Sequence, residues 1–460
     1  MKQATLFALA SMLTSAACGD VPSAPPVSAN SPANVSGAAL AVAAPGTPLV
    51  LVFNANRFPD DVGGFVAAAG GTLLHSFPEV GLAVARANDA GFSNRVRASH
   101  AIQAVGPVGR WTAPGMTPFT PALGAPTAAD AGYEAYQWDI RRVGADQAWA
   151  AGFTGSHNTV VAIIDQGIDA THPDLSGNVV FQACIELAGF CGDAFRGDHG
   201  THVAGTVAAA FDGGLAVGVG PNLGLAGYQV FETSGEAWDP SIWWALLDAA
   251  ERGFRVANMS LSGYAAFGQS KGFGAAVWTA WNRVIDYVVR QGVVVVAAAG
   301  NEAVDVNGTL YHLPGDLPGI INVAATGIEP YPFFPQPGAY DIRAFYSNTG
   351  AAVTLSAPGG DCGAVSGCSG ITDSGYPFYY EYLVFSTIPL SSGGYAWGGG
   401  TSQATPHVAA AAGLMLDANP RLNPYQVAAI LKRTADPLGN RQVFGAGMLD
   451  VLEAVLTAAN

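Results

Sequence analysis

The sequence predicts an α/β protein in which a small α+β unit precedes a doubly wound, mostly parallel sheet. From Tyr136 onward, apolar runs of strand length alternate with segments of helical pattern. Runs such as Val293–Ala299 are apolar without alternation, as expected of parallel strands that helices cover on both faces. Ahead of them, residues 48–108 predict the order β-α-β-β-α-β.

The larger unit is predicted to span residues 135–460. Ligands of doubly wound sheets bind at the carboxyl ends of the strands. Asp165 and Asn301 follow predicted strands, and Ser260 lies near the end of a third, so we expect a site at that edge of the sheet. The predicted elements are strand Thr159–Asp165, helix Thr201–Phe211, strand Ala226–Phe231, helix Pro240–Arg252, strand Val256–Leu261, helix Gly274–Gln291, and strands Val293–Ala299 and Ile320–Ala325.

The smaller unit is predicted to span residues 45–108, between two segments that lack a core pattern. Residues 18–44, rich in Pro, Ser, Ala and Asn, are expected to form a flexible linker. Residues 109–134, rich in Pro, Ala, Gly and Thr, are expected to form an exposed linker. The predicted elements of this unit are the strands Pro48–Phe53, Thr72–Phe77, Gly81–Ala87 and Ala101–Val105 and the helices Asp60–Ala69 and Gly91–Ser99.

Length and charge limit the classes of function. With 460 residues, 50% of them hydrophobic, the chain can bury a large core and hold more than one folded unit. Its formal charge of -15, with 19 Lys and Arg residues, argues against binding to nucleic acid or to anionic lipid surfaces. After residue 17, no apolar run reaches the roughly 20 residues that span a bilayer. We therefore expect no nucleic-acid partner and no transmembrane segment.

Residues 1–17 are predicted to be an export signal. Lys2 makes the start basic, an apolar stretch follows, and small residues precede Cys18. The same order resembles a bacterial lipoprotein signal, in which Cys18 would be lipidated and become the mature N-terminus. An ordinary cut after Ala17 is the alternative. In both cases we expect an exported protein, extracellular or associated with the cell envelope.

The remaining four cysteines form two pairs that are close in sequence. Cys184 with Cys191, and Cys362 with Cys368, could each close a small loop, which would stabilise the fold by roughly 2–3 kcal/mol in an oxidising compartment. Free buried thiols are the alternative. Neither pair has the CxxC spacing of zinc sites, so metal binding by these cysteines is not expected.

Three polar residues predict nucleophilic catalysis. Pro406 lacks an N–H and is expected in the first turn of a helix, which places Ser402 at a helix terminus with free N–H groups. His199 begins another predicted helix and could accept the serine proton, while Asp165, at a strand end, could orient the histidine. Each residue alone could be a cap or a turn former. Together, as nucleophile, base and orienting carboxylate, they predict acyl transfer.

With these motifs in this order, the chain resembles the subtilisin-like serine proteases (subtilases, peptidase family S8) over roughly residues 135–455. Further stretches match that family in register: Asn258–Leu261, Ala298–Asn301, Phe345–Asn348, Ala357–Gly359 and Gly445–Asp450. The resemblance implies a subtilisin-like fold with Ser402 as nucleophile, His199 as general base and Asp165 as the carboxylate that stabilises the imidazolium. Gln166 departs from the family, which usually has Ser or Thr after the aspartate.

The resemblance assigns further site residues. Asn301 matches the family's side-chain donor to the oxyanion of the tetrahedral intermediate. Two segments match those that flank the primary specificity pocket, and a peptide would add to them as an extended strand. They are Ser260, Leu261, Ser262 and Gly263, and Ala298, Ala299 and Gly300. Since these residues are small and include no carboxylate, we expect the pocket to accept medium or large apolar side chains.

The smaller unit is similar to the ferredoxin-like inhibitory propeptide that precedes many subtilases. It is expected to assist folding and then to block the site as an intramolecular inhibitor. Cleavage within the linker 109–134 would release it. A separate small binding domain is the alternative interpretation.

Metal ions are expected only in a structural role. Asp174 matches a residue that ligates calcium in many subtilases, and Asp212 falls near the corresponding loop, although that loop departs from the usual pattern. His202 lies three residues after His199, but no third ligand motif accompanies it, so a packed histidine is the preferred interpretation.

These observations predict an exported serine endopeptidase that hydrolyses peptide bonds through an acyl-enzyme and processes its own precursor. Its substrates would be proteins or peptides, and its chemistry would require no cofactor. Two alternatives are a peptide-binding pseudo-protease on the same scaffold and a metal-dependent hydrolase that uses His199 and His202. Labelling by a fluorophosphonate and sensitivity to chelators distinguish them.

Overall fold

The computed structural model of the chain describes residues 45–55, 57–115, 136–192, 195, 197–266, 273–307, 310–328, 341–361 and 382–460. The predicted signal peptide 1–17, the flexible linker 18–44 with Cys18, most of the linker 109–134, and the cysteines Cys362 and Cys368 lie outside the described residues.

Strands and helices alternate through most of the chain. The strands are β1 (Pro48–Phe53), β2 (Gly71–Phe77), β3 (Leu82–Ala87), β4 (Ile102–Pro107), β5 (Arg110–Thr112), β6 (Val160–Asp165), β7 (Val179–Glu186), β8 (Gly189–Gly192), β9 (Gly224–Gln229), β10 (Glu236–Trp238), β11 (Val256–Met259), β12 (Gly263–Ala266), β13 (Val294–Ala298), β14 (Leu310–Leu313), β15 (Ile320–Gly327), β16 (Ile342–Arg343), β17 (Leu355–Pro358), β18 (Val384–Thr387) and β19 (Tyr395–Gly398). The α-helices are Val62–Ala68, Phe92–Arg97, Trp138–Arg142, Ala145–Ala150, Pro173–Ser176, Asp198–Ala208, Asp239–Glu251, Phe273–Arg290, Thr401–Ala418, Pro424–Thr434, Arg441–Phe444 and Val451–Ala459, with 3-10 turns at Pro78–Val80 and Leu390–Ser392.

A mainly parallel sheet forms the centre of the larger unit. Within the described ranges it has nine strands, in the order β16-β15-β13-β11-β6-β9-β7-β8, with β17 beside β15. The pairings from β7 through β9, β6, β11 and β13 to β15 are all parallel, as is that of β15 with β17. Antiparallel pairing adds β8 to β7 and β16 to β15. The predicted α/β fold is therefore confirmed.

The central strand β6 is buried on both faces. Val161 and Ile163 pack into the core that contains the helix Thr401–Ala418, whereas Ala162 and Ile164 point into the core on the opposite side of the sheet. Because side chains alternate along a strand, both faces must be apolar when helices cover both. This explains the uninterrupted apolar run that ends at Asp165.

The N-terminal unit is a four-stranded antiparallel sheet in the order β2-β3-β1-β4, with two short helices. The predicted α+β order is confirmed, with helices shorter than predicted at both ends. One face of β1, including Leu51, packs on the unit's own helices. On the other face, Val50 and Val52 join the core of the larger unit. The two units therefore share a hydrophobic core.

Polar contacts extend this interface. The Arg283 guanidinium, on helix Phe273–Arg290, donates hydrogen bonds of 3.2 Å to the carbonyl oxygens of Val80 and Gly81. The ring of His75 lies 4.9 Å from that of Trp244, edge to face. The N-terminal unit is thus fixed on the helices that cover one side of the central sheet.

The first residues of the predicted linker differ from the prediction. Residues 110–112 form β5, which pairs antiparallel with β10 of the larger unit. The Ala113 N–H extends the pairing by donating to the Gly235 carbonyl, at 2.8 Å. An edge strand offers unpaired backbone groups to any extended segment beside it, and composition alone does not reveal such a partner.

One predicted disulfide is present in the described residues. Cys184 on β7 and Cys191 on β8 are bonded, with their Cα atoms 5.0 Å apart. The two strands form an antiparallel hairpin in which Cys184 pairs with Gly192, and a register shift at this point places the adjacent Cys191 beside Cys184. The pairing is therefore confirmed for these two residues.

Two helices carry the candidate catalytic residues, and we call them the histidine helix (Asp198–Ala208) and the serine helix (Thr401–Ala418). They pack against each other, and the histidine helix also packs on β18. Its carbonyl oxygens at Thr201 and His202 accept hydrogen bonds from the hydroxyls of Thr387 and Ser386. Among the described residues, no helix has the length and hydropathy to span a membrane.

The close approach of the histidine helix to β18 requires glycine at position 205. A β-carbon there would lie 2.3 Å from Thr387 Oγ1 and 2.4 Å from Ser386 Oγ. We expect Gly205→Ala to push the helix away from β18 and to lower the free energy of unfolding by about 1–3 kcal/mol, measured by urea denaturation.

Gly177→Ala is the matched control. Its β-carbon would meet no heavy atom within 4 Å, and its φ of -72° is helical. We expect a change within about 0.5 kcal/mol. Equal effects of the two substitutions would contradict the packing argument.

Candidate active site

Asp165 and His199 form a buried hydrogen-bonded pair. Asp165 ends β6 and has no exposed surface, and His199 is 3% exposed. The His199 Nδ1 lies 3.0 Å from Asp165 Oδ1 and 2.9 Å from Oδ2. A carboxylate at this position accepts the Nδ1 proton and leaves Nε2 as the acceptor of the ring.

A glycine lets the histidine helix begin this close to the end of β6. A β-carbon on Gly200 would lie 2.2 Å from the Gly167 carbonyl oxygen, so any other residue would push the helix start away. The residue that permits the close contact between the helix start and the end of β6 therefore directly follows His199 in the sequence.

Ser402 is the second residue of the serine helix and is 7% exposed. Its hydroxyl donates a hydrogen bond of 3.1 Å to the Ser260 carbonyl oxygen. In this conformation the hydroxyl proton therefore points to the end of β11 and not to His199. Attack on a substrate requires the hydroxyl to turn from Ser260 toward the imidazole.

The start of the serine helix corrects one expectation. Pro406 is not in the first turn, because the helix begins at Thr401 and Pro406 is its sixth residue. Proline has no N–H for the carbonyl four residues earlier, which belongs to Ser402. The Ser260 hydroxyl fills that place and donates to the Ser402 carbonyl at 2.8 Å. Ser402 nevertheless remains in the first turn, because the helix tolerates the proline.

Asn301 lies beside the start of the serine helix and is exposed. Its Oδ1 accepts hydrogen bonds of 2.8 Å from both the N–H and the hydroxyl of Thr401. The amide is thereby oriented, with its Nδ2 group left as a donor. The Thr401 hydroxyl also accepts a hydrogen bond from the Gly300 N–H, at 3.1 Å.

Most side chains of the two predicted substrate segments are buried. Ser260 and Leu261 are buried, as are Ala298, Ala299 and Gly300, whereas Ser262 and Gly263 are half-buried. The Ser260 side chain is fully engaged, since it donates to Ser402 and accepts from Asn258 Nδ2 at 3.1 Å. Gly263 lies against the ring of Trp111, which belongs to β5.

Gln166 is a site residue whose function sequence reasoning missed. Its backbone N–H donates to Asp165 Oδ1 at 2.7 Å, and its Oε1 accepts the His199 N–H at 3.2 Å. Its Nε2 donates to the Pro114 carbonyl at 3.4 Å. The sequence signal for Gln166 was its position directly after Asp165, because residues that follow parallel strands line the ligand site of such sheets.

The carboxylates of the two candidate calcium ligands, Asp174 and Asp212, both accept hydrogen bonds from protein groups. Both oxygens of Asp174 lie within 3.0 Å of the Tyr395 hydroxyl, and Oδ2 also accepts the Ala216 N–H at 3.3 Å. Asp212 accepts the N–H of Gly214. Burial raises the pKa of Asp174. The donors that already occupy this carboxylate do not fit a calcium site.

His202 is packed in the interior and has no exposed surface. Burial lowers its pKa to about 3, so the ring is neutral at physiological pH. The packed-histidine interpretation is therefore favoured, and the ring is remote from solvent that could deliver a metal ion.

The comparisons with known proteins agree with this geometry. Residues 156–447 match the model of the subtilase family, peptidase S8. Subtilisin DY from Bacillus licheniformis is 33% identical over 319 residues, which cover 68% of this chain and 96% of that protein. Fervidolysin from Fervidobacterium pennivorans is 31% identical over 322 residues, covering 67% of this chain but only 42% of its own length.

Solved structures extend the similarity to the N-terminal unit. The epidermin leader peptide processing serine protease of Staphylococcus aureus superposes with a TM-score of 0.72 at 21% identity, covering 90% of this chain and 99% of that one. At this identity the likeness shows the fold alone. Sequence and fold lead to one conclusion: the chain belongs to the subtilase family of serine endopeptidases.

Proposed function

We propose that this chain is the precursor of an exported endopeptidase that cleaves peptide bonds with Asp165, His199 and Ser402. The observation that carries the proposal is the buried hydrogen bond between Asp165 and His199, with Ser402 at the start of the helix packed beside them. Subtilases need no cofactor for catalysis, so these side chains must supply the proton transfers.

The proposed reaction begins when the Ser402 hydroxyl leaves Ser260 and gives its proton to His199 Nε2. Asp165 holds the other ring nitrogen and stabilises the imidazolium that forms. Ser402 Oγ then attacks the peptide carbonyl, and His199 returns the proton to the leaving amine. Water cleaves the acyl-enzyme by the same steps in the second half of the reaction.

The oxyanion of the tetrahedral intermediate needs donors placed in advance. Two are available at the start of the serine helix. The Ser402 N–H lies in the first turn, where helices have no internal acceptor. The Asn301 Nδ2 group is the second, because Thr401 occupies Oδ1 of the same amide.

The N-terminal unit, residues 45–108, is proposed to be an inhibitory propeptide. Its shared core with the larger unit and the pairing of β5 with β10 support this role. The Pro114 carbonyl reaches Gln166, the neighbour of Asp165, so the chain that leaves this unit runs toward the candidate triad. In this state it would compete with substrate.

Maturation is proposed to remove the signal 1–17 and everything up to a bond in the linker 109–134. The first firm attachments of the larger unit support a boundary near Gln137, whose side chain bonds to Val217 N and O at 2.9 Å. Whether Cys18 is lipidated or the signal is cut after Ala17 decides the first N-terminus. Intact-mass analysis of the exported protein distinguishes these outcomes and reports the maturation bond.

Substrates are proposed to be proteins or peptides that bind as extended strands. The segment Ser260–Gly263 and the segment Ala298–Gly300 would flank the residue before the scissile bond. Their small side chains support a preference for medium or large apolar residues there. Cleavage-site mapping of an unfolded protein by mass spectrometry tests this preference.

Replacing Ser402 by alanine tests the nucleophile. We expect Ser402→Ala to reduce casein hydrolysis roughly 10⁴-fold or more and to leave the precursor unprocessed, because no hydroxyl remains to attack. Ser176→Ala, at an exposed helical serine, is the control and is expected to retain activity. Full activity of Ser402→Ala would refute the assignment.

The Thr401 hydroxyl is expected to matter through Asn301. Thr401→Ala removes one of two hydrogen bonds that orient the Asn301 amide and leaves the Gly300 N–H unpaired. We expect kcat to fall about tenfold with little change in KM, since the oxyanion forms only in the transition state. In subtilisin itself, loss of the oxyanion donor costs about 10²–10³ in kcat.

Thr401→Ser is the matched control, since it keeps the hydroxyl. Its kcat should lie close to that of the unmodified enzyme. If the serine and alanine variants lose the same activity, the hydroxyl does not act through Asn301.

Chelation tests the metal predictions. We expect EDTA to leave kcat/KM on a peptide substrate unchanged, because the described catalytic side chains need no metal ion and Asp174 is already bonded to Tyr395 and Ala216. Thermal unfolding with EDTA and with added calcium provides the second measurement. A fall in Tm that calcium reverses would support the calcium prediction despite the contacts of Asp174.

A further inference from the structure

A buried carboxylate holds the β5 segment against the larger unit. Asp239, the first residue of helix Asp239–Glu251, is 1% exposed. Its Oδ1 accepts the indole N–H of Trp111 at 2.8 Å, and its Oδ2 accepts the backbone N–H of Gly109 at 2.5 Å. The Asp239 N–H in turn donates to the Gly109 carbonyl at 3.2 Å.

The ring of Trp111 fills a pocket whose walls belong to the larger unit. Trp281, fully buried, stands edge to face with it at a centroid distance of 5.7 Å and donates its own indole N–H to Asp239 Oδ1 at 3.0 Å. Gly263 forms another wall, where a β-carbon would lie 3.2 Å from the Trp111 ring. Only 8% of Trp111 remains exposed.

The backbone around Trp111 binds as an added strand. Trp111 pairs with Ala237, and its neighbours Arg110 and Thr112 point outward and are exposed. Strand addition of this kind gives affinity through the backbone and selects alternate side chains through pockets. Trp111 is the side chain of β5 that points inward, so the pocket selects the residue at this position of a bound strand.

We propose that Asp239 is a specificity-determining residue, which selects a substrate side chain with an indole N–H at the position that Trp111 occupies in the precursor. The inference rests on the proposed function, since the pocket becomes free only when the propeptide leaves. When the propeptide leaves together with β5, Asp239 keeps the Trp281 N–H but loses the donors from Trp111 and Gly109. A substrate strand carrying tryptophan restores both.

An apolar pocket alone would not distinguish tryptophan from an aromatic residue of similar size. A ring without an N–H removes one of the two donors to Asp239 Oδ1. Because this oxygen is buried, water does not replace the lost hydrogen bond, and binding becomes weaker. Sites that hydrogen-bond a substrate N–H reject analogues that lack it for this reason. The Asp239 carboxylate therefore predicts a preference for tryptophan over an aromatic ring of the same size, whereas the shape of the pocket alone predicts none.

The test uses the enzyme obtained from the full chain and two synthetic peptides in one reaction. Both have the sequence of residues 107–121, and one carries 2-naphthylalanine in place of Trp111. With the two peptides at equal concentrations, the ratio of their initial rates of loss, followed by mass spectrometry, equals the ratio of their kcat/KM values. We expect the tryptophan peptide to be preferred roughly 10- to 100-fold.

Two controls isolate the carboxylate. A peptide with alanine at the exposed Thr112 should be cleaved within about twofold of the parent. In the enzyme, Asp239→Ala should bring the tryptophan preference close to 1, whereas Glu236→Ala, which removes a carboxylate that pairs with Arg110 on the surface, should keep it. If Asp239→Ala does not fold, the peptide comparison on the unmodified enzyme still decides.

Casein hydrolysis, measured in parallel, separates the two proposals. If the enzyme cleaves casein but cleaves the two peptides at equal rates, the inference is wrong and the proposed function stands. The same conclusion follows if it cleaves casein but neither peptide. A chain that cleaves neither casein nor any peptide overturns the proposed function, and the inference with it.

Discussion

The hydrogen bond between Asp165 and His199 is the contact on which the candidate site depends. A carboxylate without exposed surface costs several kcal/mol unless donors surround it, and Asp165 has the His199 ring and the Gln166 N–H. The His199 ring is in place only because the histidine helix starts against the end of β6, whereas the Gln166 N–H follows Asp165 directly in the chain. The glycine at position 200 permits that approach. The strand order, the start of the histidine helix and the absence of a side chain at Gly200 therefore all contribute to the contact between Asp165 and His199.

The serine is positioned by a defect in its own helix. Proline inside a helix costs about 3 kcal/mol, since it removes one hydrogen bond and crowds the preceding turn. Here the carbonyl that Pro406 leaves without a donor belongs to Ser402, and Ser260 supplies the hydroxyl in place of the lost N–H. In return, the Ser402 hydroxyl donates to the Ser260 carbonyl. The exchange ties the first turn of the serine helix to the end of β11, which fixes the nucleophile relative to the sheet.

Apolar and polar contacts join the N-terminal unit and the β5 segment to the larger unit, and they extend to the neighbourhood of the candidate triad. Val50 and Val52 contribute to a core that also contains residues of the helices Asp239–Glu251 and Phe273–Arg290. At the edge of that core, the carboxylate of Asp239 receives donors from Trp111 on β5 and from Trp281 of the larger unit, and burial raises its pKa. Beyond it, β5 lies on β10 and leads toward Gln166. Burial of apolar surface thus holds the unit in place, while directional hydrogen bonds fix the path of β5, the strand that follows the unit.

The sequence by itself determined the fold class, the order of the elements and the candidates Asp165, His199, Ser402 and Asn301, because periodicity and short motifs are local properties of the chain. It misplaced Pro406, since helix propensity does not report the Ser260 hydroxyl that compensates for the missing N–H. It did not indicate which hydrogen bonds Ser260, Thr401, Gln166 and Asp239 make. Only the tertiary structure decided these contacts, because each depends on a hydrogen bond between residues that lie far apart in the chain. Such contacts are set by how the elements pack, and no local pattern encodes them.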